Sequence, residues 1–159
     1  KNPHAFIQVI LNDRDENSLM TEYLIFDKNA FKYNKQEATL YLDKSCFGLD
    51  KLNINYKTDK FEIIGDINLA ELTPIKTNGF SPTIMGMFHY LPFMECYHSV
   101  VSMNHNLEGI ISINGKKIDF SGGKGYIEKD YGRSFPEKYV WLQSNHFSDI
   151  HQSRVGPFP

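Results

Sequence analysis

The chain has 159 residues, with 17 Lys and Arg against 19 Asp and Glu for a net charge of −2. That length suffices for one domain of ordinary size with its own core, and the balanced charge offers no basic face for nucleic acid or an anionic surface. Two cysteines, Cys46 and Cys96, make neither a disulfide framework nor a CxxC pair, and no apolar run approaches the roughly 18–20 residues of a transmembrane helix. The 12 Phe and 9 Tyr fit a β-rich core or an apolar pocket.

In chain order, residues 5–11 read as a strand already under way, as in a chain that starts inside a larger protein. No signal-peptide pattern opens it, so the expected setting is reducing and cytoplasmic. A polar turn over 12–18 leads to a returning strand at 20–26, and short strands follow at 38–42, 52–56 and 61–69, with turns at 48–51 and 57–60. Helix signals are scarce, and this rhythm predicts an all-β antiparallel sandwich or barrel. Residues 72–94, broken by Pro74, Pro82 and Pro92, form a long apolar connection that either packs under the core or covers a pocket mouth. Asn114-Gly115 is a type I′ turn pair. It predicts a hairpin over 107–121 in which Ile111, Ile113, Ile118 and Phe120 share the core face.

Four clusters carry polar or reactive groups. If 126–131 is a strand, Tyr126, Glu128 and Asp130 share one face, while Ile127, Lys129 and Tyr131 take the other. In an apolar pocket such coupled carboxylates would have raised pKa values and one would be a proton donor; on an exposed strand they would simply be solvated. In Phe93-Met94-Glu95-Cys96-Tyr97-His98, Glu95 and Tyr97 share a face, as do Cys96 and His98. Cys96 and His98 with His89 or His105 make a weak zinc pattern, and a Cys–His nucleophile is equally weakly signalled; a hydrogen-bonded pocket histidine is the simpler reading. Ser121-Gly122-Gly123-Lys124-Gly125 lacks a full phosphate-loop pattern and reads as a bulge or bend. Trp141, Gln143 and Asn145 alternate onto one face, which is either a pocket wall or a half-exposed edge strand.

The runs 93–98, 125–132, Ser134-Phe135-Pro136 and 141–145 together resemble the tocopherol cyclase-like family. The resemblance is specific over about 80–147 and thin over 1–79. It implies a lipocalin-like (calycin-type) antiparallel β-barrel over 1–135, with 136–159 beginning a second barrel half or forming a tail. It further implies acid-catalysed cyclisation or hydration of a large apolar prenylated substrate, with no cofactor and no metal. The implied catalytic residues are Glu128, Asp130 and Glu95. Tyr97, His98, Tyr126, Tyr131, Trp141, Gln143 and Asn145 would bind a prenyl or quinone-like ligand. The family usually has Trp at the position of Tyr131, so cation stabilisation by that ring would be weaker here. A membrane-peripheral setting and a non-catalytic carrier of an apolar ligand are the alternatives that stay open.

Overall fold

Strict alternation organises the first hairpin. In the computed structural model, which describes residues 3–134, 137, 138 and 140, strand β1 (His4–Asp13) alternates exposed and half-buried residues along its whole length. It pairs antiparallel with β2 (Ser18–Asp27), Ile7 opposite Leu24. The connection is closed by the Asp13 carboxylate, whose Oδ1 accepts from the N–H groups of Asp15 at 3.1 Å and Glu16 at 3.2 Å. Asn17 takes the positive φ of 47° that completes the turn.

The described residues divide into two compact units: those within 3–69 and 108–121, and those within 70–107 and 122–140. In the first, β3 (Phe31–Asn34), β4 (Thr39–Leu42), β5 (Ser45–Phe47), β6 (Lys51–Lys57) and β7 (Glu62–Ala70) follow one another as an antiparallel meander. It is extended by the last six residues of β8 (Cys96–Ile113) and by β9 (Lys116–Asp119). Leu24 of β2, Leu42 of β4, Ile54 of β6, Phe61, Ile63 and Ile67 on or beside β7, and Ile111 and Ile113 of β8 are all at most 8% exposed. Fully burying side chains of this size is worth about 1.5–3 kcal/mol each, so this apolar set holds the unit. The Asn114-Gly115 hairpin forms as its sequence predicts: φ is 50° and 84° at the two positions, Ile113 pairs with Lys116 and Ile111 with Ile118. Lys116 then reaches the β1–β2 turn, its Nζ 2.8 Å from Asp13 and 2.5 Å from Glu16. These two acids hold its ammonium pKa above the usual lysine value.

In the second unit, the first twelve residues of β8 pair antiparallel with β10 (Gly123–Gly132). The connection 71–95 before them is irregular apart from a short 3₁₀ turn at Gly86–Tyr90. The all-β antiparallel class expected from the strand rhythm is therefore what the chain adopts. Strands β3 and β5, four and three residues long, are absent from the sequence reading. Strand β8 begins at Cys96 rather than near 107. Its first half is half-buried without alternation and carries His98, Ser99, Ser102, Asn104 and His105, so period two is weak there. Ser121 and Gly122 form the bend, while Gly123, Lys124 and Gly125 already belong to β10.

Strands β7 and β8 come together at Gly65 and Gly109. A Cβ at Gly65 would overlap the Ile110 backbone, one at Gly109 would overlap Asp66, and Gly109 sits at φ 142°. Replacing Gly109→Ala should cost about 2 kcal/mol or more, read as a lower urea midpoint with an unchanged m-value; a midpoint equal to wild type would contradict this close approach.

Candidate functional site

Strands β8 and β10 present two different faces. Their register sets Asp130 opposite His98, Tyr131 opposite Tyr97 and Gly125 opposite His105. Two irregularities, between Gly125 and Ile127 and between Ile127 and Glu128, each place an extra residue on β8. Such bulges re-aim side chains while leaving the pairing on either side intact.

On one face, the Asp130 carboxylate hydrogen-bonds the His98 ring at Nδ1. His98 Nε2 lies 3.9 Å from Glu128 Oε2, and the Tyr126 hydroxyl donates to that same Oε2 at 2.8 Å. Asp130, His98, Glu128 and Tyr126 thus form a row of four proton-carrying groups, hydrogen-bonded within each end pair and separated by 3.9 Å between His98 and Glu128. The side chains of His98, Glu128 and Asp130 are 30%, 27% and 25% exposed, so they are reachable but partly sheltered. Burial, the hydrogen bond to Glu128 and the charges of Glu128 and Asp130 push the Tyr126 hydroxyl well above the usual phenol range. It stays protonated and acts as a donor. Burial and then the Asp130 charge raise the Cys96 thiol. A thiolate nucleophile at Cys96 is therefore disfavoured.

The other face carries a partly exposed aromatic pair at one end and buried polar groups further along. Tyr97 and Tyr131 stack with centroids 5.0 Å apart and planes at 13°. The ammonium of Lys129 lies 5.7 Å from the Tyr131 ring centroid, and His89 meets Tyr97 edge-on. Further along, Ser102 and His105 are 0% and 3% exposed. Ser102 Oγ donates to Asn104 O at 3.0 Å, accepts from the Thr73 N–H at 3.1 Å and lies 3.1 Å from His105 Nδ1. A hydroxyl has one proton to give, so His105 Nδ1 carries the hydrogen. A Cβ at Gly125 would overlap the His105 ring. The histidine thus fills the space that a missing side chain leaves.

The connection 71–95 is fastened onto the start of β8. Met85 Sδ accepts the His98 N–H at 3.0 Å, and the Tyr97 hydroxyl donates to Leu91 O. The apolar connection thus packs beside the site, with Phe80, Met87, Phe88 and Phe93 more than 60% exposed.

The face shared by Tyr126, Glu128 and Asp130 is the one read from the sequence, and the structure adds His98 to it. Glu95 is not drawn in. It is exposed and precedes β8, where its carbonyl accepts from the N–H groups of Arg133 at 2.8 Å and Ser134 at 3.2 Å. Tyr97 and Tyr131 lie together on the opposite face. Trp141, Gln143 and Asn145 lie outside the described residues. His98 groups with Glu128 and Asp130 rather than with Cys96. The ligand atoms of these three lie within 4.8 Å of one another and could hold a cation, but only at the expense of the His98–Asp130 hydrogen bond. As found, the donor set shares protons. Sequence reading missed the Ser102–His105–Gly125 arrangement; its one signal was the glycine run, read as a bend.

Fold and site define an all-β protein with a carboxylate–imidazole–phenol site on an antiparallel strand pair. A sequence model of the family described as tocopherol cyclase-like matches residues 69–156, more than half of the chain, and the chain belongs to that family. It is 32% identical over 63 residues to a protein named probable tocopherol cyclase, chloroplastic, from Oryza sativa subsp. japonica. It is 31% identical over 62 residues to tocopherol cyclase, chloroplastic, from Zea mays. These matches cover 40% and 39% of this chain and 13% of each relative. No solved structure matches.

Burial lowers the His105 pKa below 6.5. Between that lowered value and 6.5 the unfolded chain binds the additional proton, so the stability from neutral His105 is complete above about pH 6.5 and is lost as pH falls. Chemical denaturation from pH 7.5 to 5 should show this decline, and His105→Asn should flatten it; an equal slope in the variant would contradict a buried neutral imidazole.

Proposed function

We propose that this chain supplies the acid site of a tocopherol cyclase-like enzyme that cyclises or hydrates a large apolar prenylated substrate. The observation that carries this reading is the row Asp130–His98–Glu128–Tyr126, in which two carboxylates share one imidazole and one protonated phenol. A carboxylic acid in this row donates its proton to a prenyl double bond. The π bond breaks, a C–H bond forms and a tertiary cation results. A neighbouring hydroxyl oxygen, of the substrate for ring closure or of water for hydration, then bonds to the cation and releases a proton. Ring closure is an isomerisation and calls for no cofactor.

Glu128 and Asp130 are the acids in this reading. Glu95, exposed and ahead of β8, has the least support of the three acids. Tyr97 and Tyr131 stack on the opposite face of the strand pair, so a role for their rings beside a cationic intermediate receives no support from this geometry; Trp141, Gln143 and Asn145 are assigned the further pocket wall in this proposal. A lipocalin-like barrel over 1–135, with 136–159 opening a second half, is the architecture that belongs with this proposal. Among the described residues no helix is long and apolar enough to cross a membrane. Cytoplasmic residence with peripheral membrane contact is the accompanying proposal.

One observation favours the carrier as a second reading. A cavity of about 520 Å³ in the first unit is lined mainly by apolar residues, among them Phe6, Ile7, Phe31, Leu42 and Phe47. That is the size of a small-molecule site.

The test uses the full-length protein and a prenylated phenol. Glu128→Gln and Asp130→Asn should each lower ring closure or hydration by about 10²-fold or more while substrate still binds. Unchanged turnover in both variants would refute the acid assignment; tight binding without product in wild type would favour the carrier.

A further inference from the structure

The cavity of about 520 Å³ lies wholly within the first unit. Part of its lining is a single face of the meander. Phe31 pairs with Leu42 and Leu40 with Phe47, and because side chains alternate along each strand these four project to the same side. Leu42 is buried, but Phe31 and Leu40 are 48% and 37% exposed, so the fold leaves apolar surface uncovered there. Four consecutive residues of β1, His4 to Ile7, line the cavity as well. Lys28 completes the lining from the short 3₁₀ turn Lys28–Ala30 that joins β2 to β3.

Charge around this cavity is one-sided. Lys28 is the only lysine or arginine among the described residues that line it, and no Asp or Glu does. Asp27, its neighbour in the chain, gives its carboxylate to the Asn29 N–H at 2.8 Å. Among the described residues the Lys28 ammonium makes no ion pair. A lysine at the rim of an apolar surface lays its methylenes along that surface and keeps its ammonium at the water. Such a cavity is complementary to a molecule with an apolar chain and one negative charge.

We propose that the cavity of the first unit binds an amphiphile that carries one carboxylate, with its chain against Phe31, Leu40, Leu42 and Phe47 and its head group on the Lys28 ammonium. The site goes beyond the acid row, with which it shares no residue, and it rests on the carrier reading in giving that ligand a head group. A single ammonium matches a singly charged carboxylate. A phosphate monoester would bring a second charge and more acceptor oxygens than one lysine satisfies. The chain supplies affinity by covering the exposed parts of Phe31 and Leu40, and the ion pair selects the acid over its neutral ester.

The experiment titrates the full-length protein with cis-parinaric acid, a fluorescent straight-chain fatty acid, and with its methyl ester. Wild type should bind the acid about tenfold more tightly than the ester. Lys28→Gln should bind both at the affinity wild type shows for the ester, whereas Lys28→Arg should keep the preference. Lys28 is exposed, so neither substitution disturbs the core. Raising salt from about 0.05 M to about 0.5 M should shrink the preference for the acid and leave the ester's affinity in place. Equal binding of acid and ester by wild type, or a preference that survives in Lys28→Gln, would overturn the head-group assignment while leaving the apolar carrier standing. An alkyl phosphate that binds more tightly than the carboxylate of equal chain length would overturn it too. Failure of wild type to bind either form of the probe would overturn the carrier reading and this site together, without touching the acid row.

Discussion

The placement of Asp130 against His98 depends on where β10 is pinned along β8, and the pin is the contact between Gly125 and His105. The imidazole occupies the volume that any side chain at 125 would claim, and Ser102 holds its Nδ1–H from beneath. Since side chains alternate, a slip of one residue in this register would turn Glu128, Asp130 and Tyr126 away from His98 and toward the opposite face. The two bulges between Gly125 and Glu128 then adjust the register that the pin establishes. A buried polar pair, its histidine seven residues from His98, thus sets the geometry of the partly sheltered charged row.

This arrangement contrasts with the first unit. There the buried side chains apart from Ser45 are aliphatic and aromatic, and apolar burial carries the stability. In the second unit, the buried residues among those described are Ser102 and His105. Buried polar groups cost free energy unless they are paired, and each of these is paired. Such a kernel gains its effect through direction, because a hydrogen bond that must be made in one geometry specifies register more sharply than an apolar contact does. The same unit carries the sheltered carboxylates and the apolar connection fastened at Met85 and Leu91, so a polar site and an apolar approach are built on the same two strands.

Much of this was legible in the sequence where alternation and turn chemistry are clean. The β1–β2 hairpin, the Asn114-Gly115 hairpin and the shared face of Tyr126, Glu128 and Asp130 follow from period two and from glycine's tolerance of positive φ. The first half of β8 was not legible, because both of its faces are half-buried and its residues are polar on each. His98 was read with Cys96 as its same-face neighbour along the strand, whereas its real partners lie across the strand pair, and cross-strand register is not written in a single segment. Gly125 was visible only as part of a bend. That it makes room for His105, twenty residues earlier in the chain, appears only once the two strands are paired. Glu95 was a candidate acid through the family resemblance alone, and its position just before β8 leaves its side chain exposed and employs its carbonyl instead.

The central claim is that a proton passes from the carboxylates of this strand pair to a prenyl carbon. Running the reaction of the full-length protein with a prenylated phenol in deuterium oxide tests it directly by mass spectrometry and NMR of the product. The account predicts one deuterium bound to carbon at the former alkene position of each ring-closed molecule, with no label entering in Glu128→Gln. Ring-closed product carrying no carbon-bound deuterium, or equal labelling by wild type and Glu128→Gln, would contradict it.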